Sequence, residues 1–156
     1  KNLKAMRVRH LLSMNTGLRR GELLRLTWAN VDLQGGTLTV EGSTAKNQQT
    51  RHVPLNAEAV NVLTRWKVQH PGTERVIGVA NVKTAWTALL ARAEITSFRW
   101  HDLRHHFASR LAQAGVPLNT IRELLGHGSL AMTLRYAHLA PDQKREAVAR
   151  LMSKPT

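Results

Sequence analysis

His101-Asp102-Leu103-Arg104-His105-His106-Phe107 opens a helix whose pattern runs from about Asp102 to Ala114, with Gly115 as its stop and Pro117 just beyond. Residues Thr96–Trp100, polar and aromatic, lead into it. Helical spacing puts positions 101, 104 and 105 on one face of its first turns. A solvated helix face seldom gathers three histidines and an arginine within six residues, because imidazole and guanidinium serve best where phosphate is bound or protons move. His101 and His105 also have the i, i+4 spacing of zinc-binding helices. The general-base glutamate of His-Glu-x-x-His is missing, however, since Asp102 follows His101.

Downstream the elements become short. Asn119–Leu125 reads as a helix closed by Gly126, Ser129 can cap a segment that reaches Tyr136, and Pro141-Asp142 starts a last helix to about Met152. Leu124-Leu125-Gly126-His127-Gly128-Ser129 and Thr133-Leu134-Arg135-Tyr136-Ala137-His138 again mix imidazole, guanidinium and phenol. Tyr136 is the only tyrosine in the chain. A lone tyrosine is most often a packed ring with a satisfied hydroxyl, so by itself it does not identify a nucleophile.

Upstream, Leu3, Met6, His10, Leu11 and Met14 recur at helical spacing until Thr16-Gly17 breaks the pattern, and a second helix runs from about Arg19 to Trp28. An arginine at such a helix start adds a planar fork to the free N–H groups and positive dipole end already there, a good receptor for phosphate oxygens. The residues alone leave open whether Glu22, one turn on, braces Arg19 or is an exposed first-turn acid. Thr37–Val40 alternates and is rich in β-branched residues, and Arg51–Pro54 can pair with it across the polar loop 42–50, where Lys46 sits near the tip. Asn56 can cap a helix carrying Ala59, Val60, Leu63 and Trp66, and another runs through Val82, Trp86, Leu89 and Leu90. These readings predict a mainly α-helical chain with one small antiparallel sheet near Thr37–Pro54.

Charge narrows the function. Lys and Arg total 23 against 10 Asp and Glu, a net +13, enough to recruit a polyanion such as nucleic acid, with an anionic membrane surface as the competitor. No stretch approaches the roughly 18 uninterrupted apolar residues of a spanning helix, and Lys1–His10 has no signal-peptide layout, so a cytoplasmic, membrane-free protein is expected. With no cysteine, thiolate catalysis and thiolate metal sites are excluded. The length of 156 residues fits one domain.

Taken in order, Thr16-Gly17-Leu18-Arg19-Arg20-Gly21-Glu22, the hairpin Lys46, His101-Asp102-Leu103-Arg104-His105, Leu125-Gly126-His127 and Arg135-Tyr136-Ala137-His138 resemble the tyrosine recombinases of the phage-integrase family, across about Leu11 to Leu139. The resemblance implies that fold for residues 1–156 and a site-specific recombinase that cleaves and rejoins DNA through a 3′-phosphotyrosine, with no cofactor, metal or ATP. It implies that Arg19 and Arg104 clamp the non-bridging oxygens of the scissile phosphate. His101 and His127 would hydrogen-bond the same phosphate, with His101 assisting proton transfer from the nucleophile. Lys46 would protonate the departing 5′-oxygen, Tyr136 would attack phosphorus, and Glu22 would support the site. Double-stranded DNA is the implied partner and a homo-tetramer on DNA the implied assembly, Ala140–Thr156 being the segment exchanged between neighbours. Relatives also carry a DNA-gripping domain ahead of this region, so the chain reads as a fragment of a longer protein, and His106 stands where many of them have a small hydroxyl residue.

The chemistry fits those residue types. Attack on a phosphodiester develops negative charge that arginines, always cationic, stabilise, and a phenol of pKa about 10 needs a base or a cationic field to become a nucleophile. Two alternatives remain at this level: type IB topoisomerase-like strand relaxation, which shares the tyrosine chemistry, and a DNA-binding module without chemistry, which leaves the ordered His, Arg, Lys and Tyr set unexplained. The recombinase reading requires the six proposed catalytic residues to converge on one basic concave face.

Overall fold

The computed structural model describes residues 2–44, 49–78, 82–142, 144–149 and 151. Helix α1 (Asn2–Thr16) ends where the Thr16 hydroxyl donates back to Leu12 O at 2.6 Å and Gly17 turns the chain at φ +62°. α2 (Arg20–Arg25) is shorter than its apolar pattern predicts. Long-range pairing overrides the local signal: Leu26 O accepts from Val76 N, Thr27 bridges Arg75, and Trp28 N donates to Glu74 O, which draws the backbone after Arg25 into extended form. The gain is burial of Val76 and Ile77, 1% and 0% exposed.

Strand β1 (Val31–Asp32) is too short to give a period and was not predicted; it pairs antiparallel with β2 (Thr37–Val40), its turn closed by Asp32 Oδ1 accepting from Gln34 N and Gly35 N. β2 pairs with β3 (Arg51–Pro54) in the predicted hairpin, Leu38 opposite Val53 and Val40 opposite Arg51. Alternation then turns Leu38, Val40, Arg51 and Val53 inward. Asn56 caps α3 (Ala57–Gln69) as expected, its Oδ1 accepting from Ala59 N at 2.9 Å, and α4 (Val82–Arg92) follows. Leu12, Leu18, Leu23, Leu38, Val53, Leu63 and Ile77 join α1, α2, the sheet and α3 in one core.

α5 (Trp100–Gln113) starts two residues earlier than its pattern suggests, because the Asp102 carboxylate reaches back to the Arg99 backbone N–H at 2.8 Å and so belongs to the third helical position. α6 (Leu118–Leu125) closes on Gly126 in the left-handed conformation, φ +63°. Two 3₁₀ segments, Leu130–Met132 and Leu134–Leu139, replace the single segment expected after Ser129, whose side chain makes no capping bond. α7 (Lys144–Ala149) is the last described helix. Ala108, Ala112, Ile121, Leu125 and Tyr136 form a second core between α5, α6 and the 3₁₀ segment. Among the described residues no helix is long and apolar enough to cross a membrane.

The turn at Gly17 joins the two halves and tolerates no side chain. A Cβ there would lie 2.5 Å from Phe107 Cδ1 and 3.0 Å from Leu125 Cδ2, in a conformation L-residues rarely adopt. Gly17→Ala should therefore lower stability by roughly 2–4 kcal/mol. Urea melts would reveal it as a lower midpoint with an unchanged slope, and a midpoint equal to the wild type would contradict this account of the turn.

Candidate active site

Four guanidinium and carboxylate groups build the floor of the site. Arg19, at the turn between α1 and α2, donates its backbone N–H to Glu22 Oε2 and its Nη1 to Glu22 Oε1, both at 2.8 Å. Arg51, turned inward by strand alternation, grips the same carboxylate with Nη1 and Nη2 at 3.1 and 2.7 Å. Glu22 is thus buried, 5% exposed, and not an exposed first-turn acid. Burial raises its pKa, but the bonds and charge of Arg51 and then Arg19 more than offset this and hold it below the ordinary carboxylate range.

The same arginines finish α6. Leu124 O accepts from Arg51 Nε at 3.0 Å, Leu125 O from Arg104 Nη2 at 2.5 Å, and Gly126 O from Arg19 Nη2 at 3.0 Å. These carbonyls end a helix and have no partner within it, so three cations from three distant segments satisfy them and the dipole at once. Arg104, 3% exposed, also donates Nη1 to Gly17 O at 2.6 Å. Burial, and next the charge of Arg19, push its pKa down to about 9, which leaves it cationic at neutral pH.

Imidazole and phenol groups complete the rim. Gly126, in its left-handed turn, aims His127 back against Thr133, whose Oγ1 lies 2.9 Å from His127 Nδ1. Burial, followed by the charges of Arg104 and Arg19, pushes His127 down to about 4, so the ring is neutral at pH 7. The Thr133 hydroxyl can serve either tautomer of this ring, accepting from an Nδ1–H or donating to a bare Nδ1. Tyr136 packs its ring in the second core and sets its hydroxyl 2.6 Å from His105 Nδ1. His101 stands edge-on to His105, ring centres 4.7 Å apart.

Arg19, His101, Arg104, His127 and Tyr136 line one cleft of about 520 Å³, together with His105 and Arg135. Glu22 sits behind Arg19. Lys46 lies outside the described residues. No hydrogen bond joins His101 to the Tyr136 hydroxyl among the described residues; His105 makes that contact.

Residues 2–143 match the model of the phage integrase family. The chain belongs to that family. It is 36% identical over 151 residues to the integrase of Salmonella phage P22, covering 86% of this chain and 39% of that protein. It is 34% identical over 140 residues to the shufflon-specific DNA recombinase of Escherichia coli, covering 89% and 36%. The chain therefore spans well under half the length of these two relatives. Among solved structures, the catalytic domain of bacteriophage HP1 integrase superposes with a TM-score of 0.75 at 27% identity, covering 93% of this chain and 80% of that one.

Three residues of this phage integrase family site escaped sequence analysis. The sequence marks Arg51 only as a strand residue, although its place two before the inward Val53 puts a charge inside the sheet, where a buried carboxylate must meet it. His105 shared a face with His101 and Arg104 but gave no sign that it, and not His101, meets the phenol. Thr133 offered no signal at all.

The depressed histidine has a consequence for stability. A folded pKa near 4 against an unfolded value of about 6.5 means that the unfolded chain binds more protons in between. Stability is then complete above pH 6.5 and falls as pH drops toward 4, by about 2 kcal/mol at pH 5 from His127 alone. His10, His101 and His105, each lowered chiefly by burial, act in the same direction. Urea titrations from pH 7 to 5 should show this decline, and His127→Asn should flatten part of it. A wild-type stability constant over that range would rule the linkage out.

Proposed function

We propose that this chain is the catalytic domain of a site-specific DNA recombinase that cuts and rejoins strands through a 3′-phosphotyrosine. The observation that carries this reading is one cleft in which the only tyrosine meets three arginines and three histidines. Tyr136 is the nucleophile. Arg19 and Arg104 hold the non-bridging phosphate oxygens, His101 and His127 donate to the same phosphate, and Lys46 protonates the leaving 5′-oxygen. Glu22, between Arg19 and Arg51, fixes the angle at which Arg19 faces the cleft. The phosphotyrosine keeps the energy of the broken phosphodiester, so religation by a 5′-hydroxyl needs no ATP.

Double-stranded DNA is the substrate, and the complete protein works as a homo-tetramer with a separate domain that grips DNA. The net charge of +13 supports the first part. The test is a pool of nicked duplexes incubated with the chain at low salt, followed by denaturing electrophoresis; a band of protein covalently joined to DNA is expected, and its absence across the pool rejects this reading. Binding by the chain alone should be weak and lose about 0.9 in log–log salt slope for each phosphate contact. Tight, salt-insensitive binding to one sequence would speak against backbone-dominated contact.

A further inference from the structure

Resting on the recombinase reading, we infer that His105 is the catalytic base that takes the proton from Tyr136, with Nδ1 as the accepting atom. The geometry is direct: Nδ1 lies 2.6 Å from the phenol oxygen, within the range required of a general base, while His101 touches the His105 ring and not the phenol. The ring of Tyr136 is anchored in the second core, 5% exposed, and His105 is fixed on α5, so both groups are held on packed elements.

The protonation states match the task. Burial raises the Tyr136 phenol above its ordinary value of about 10, against the opposing pull of Arg135 and Arg104, so the proton stays on oxygen until something removes it. Burial chiefly, and then Arg135, lowers His105, with Arg99 and Arg104 adding to the effect and Asp102 opposing it. His105 is therefore neutral at pH 7, and proton transfer to it requires its Nε2–H tautomer, in which the Nδ1 lone pair faces the phenol. Arg19 and His127 face the pair across the same cleft, and His101 packs on the far edge of the His105 ring.

In the cleavage step the phenol proton moves to His105 Nδ1 as the Tyr136 Oη–P bond forms. The P–O5′ bond breaks with its electron pair going to O5′, which takes a proton from Lys46. His105 ends as imidazolium and Lys46 as amine. Religation runs the same transfers backward, the imidazolium returning its proton to Oη as the 5′-hydroxyl loses its own to Lys46.

A role confined to holding the ring is separable from a role as base. The probe is a nicked duplex whose bridging 5′-oxygen is replaced by sulfur, so that leaving-group protonation does not limit the rate and nucleophile activation does. On it His105→Ala and His105→Gln should both slow by roughly 10²–10⁴-fold at neutral pH, Gln failing although it can still accept a hydrogen bond. The wild-type rate should level off above the pKa of His105, whereas both variants should keep rising with pH as hydroxide takes over. Because Tyr136 is the only tyrosine, growth on trifluorotyrosine changes this one residue, and its more acidic phenol should remove most of the defect in both variants. His105→Gln with the wild-type rate and pH profile, or a defect untouched by fluorination, overturns the inference. In the DNA-free chain ¹⁵N spectra of histidine, assigned by the signal lost in His105→Gln, should show the Nε2–H tautomer for His105. A proton on Nδ1 overturns the inference even if no adduct forms, whereas a wild-type chain that shows Nε2–H but cleaves nothing rejects the recombinase reading instead.

Discussion

Tyr136→Phe should form no covalent adduct with DNA while binding it with unchanged affinity. The substitution deletes one oxygen and leaves the ring among Ala108, Ala112, Ile121 and Leu125, so packing survives and the lost hydrogen bond to His105 costs about 1 kcal/mol. Binding rests on cations that the change does not touch. No other residue can substitute as a phenol nucleophile, since the chain has no second tyrosine. Denaturing gels of both proteins on the same nicked duplex, with salt-dependent binding curves alongside, make the comparison. An adduct formed by the variant would mean that another group attacks phosphorus, and loss of both adduct and binding would mean that the hydroxyl, through its bond to His105, has a structural duty beyond attack.

The second large effect separates the acid from the clamp. A leaving 5′-alkoxide is strongly basic and departs slowly without a proton, so Lys46→Ala should cleave roughly 10²–10⁴-fold more slowly if Lys46 is the general acid. Arg104→Ala should lose on the order of 10²–10³-fold or more, as removal of an oxyanion-hole donor does. A bridging sulfur leaves as a thiolate, of pKa near the roughly 8.5 of a cysteine thiol, and needs no proton. Sulfur should therefore restore Lys46→Ala and leave Arg104→Ala slow, because charge on the non-bridging oxygens still needs the guanidinium. Arg104 also holds Gly17 O and Leu125 O, so its removal strands two buried carbonyls, and a melting curve must show that the variant is folded at the assay temperature. Arg104→Lys keeps a charge but cannot span both carbonyls and should be slow as well. If sulfur restores neither Lys46→Ala nor Arg104→Ala, or both equally, another group protonates the leaving oxygen.

The helices α1, α3, α4 and α5 and the β2–β3 hairpin were legible in the chain because local spacing, caps and turns mark them. Asn56 caps, Gly17 and Gly126 turn, and Leu38 and Val53 alternate inward with no help from distant residues. Most of the site could be named the same way. Residues Arg19, His101, Arg104, His127 and Tyr136 sit in short motifs whose order points to one chemistry, and the fold brings them into one cleft. Sequence order, however, carries no distances. That α2 stops at Arg25 depends on a backbone pairing with residues 74–76, some fifty positions away. Only the tertiary structure decided that Arg51 and Arg19 share the Glu22 carboxylate, that three arginines close the end of α6, and that His105 meets the Tyr136 phenol. The physical reason is the same in each case: local propensity and hydrophobic period act within a few residues, whereas a buried charge or hydroxyl must find its partner wherever folding brings one within about 3 Å.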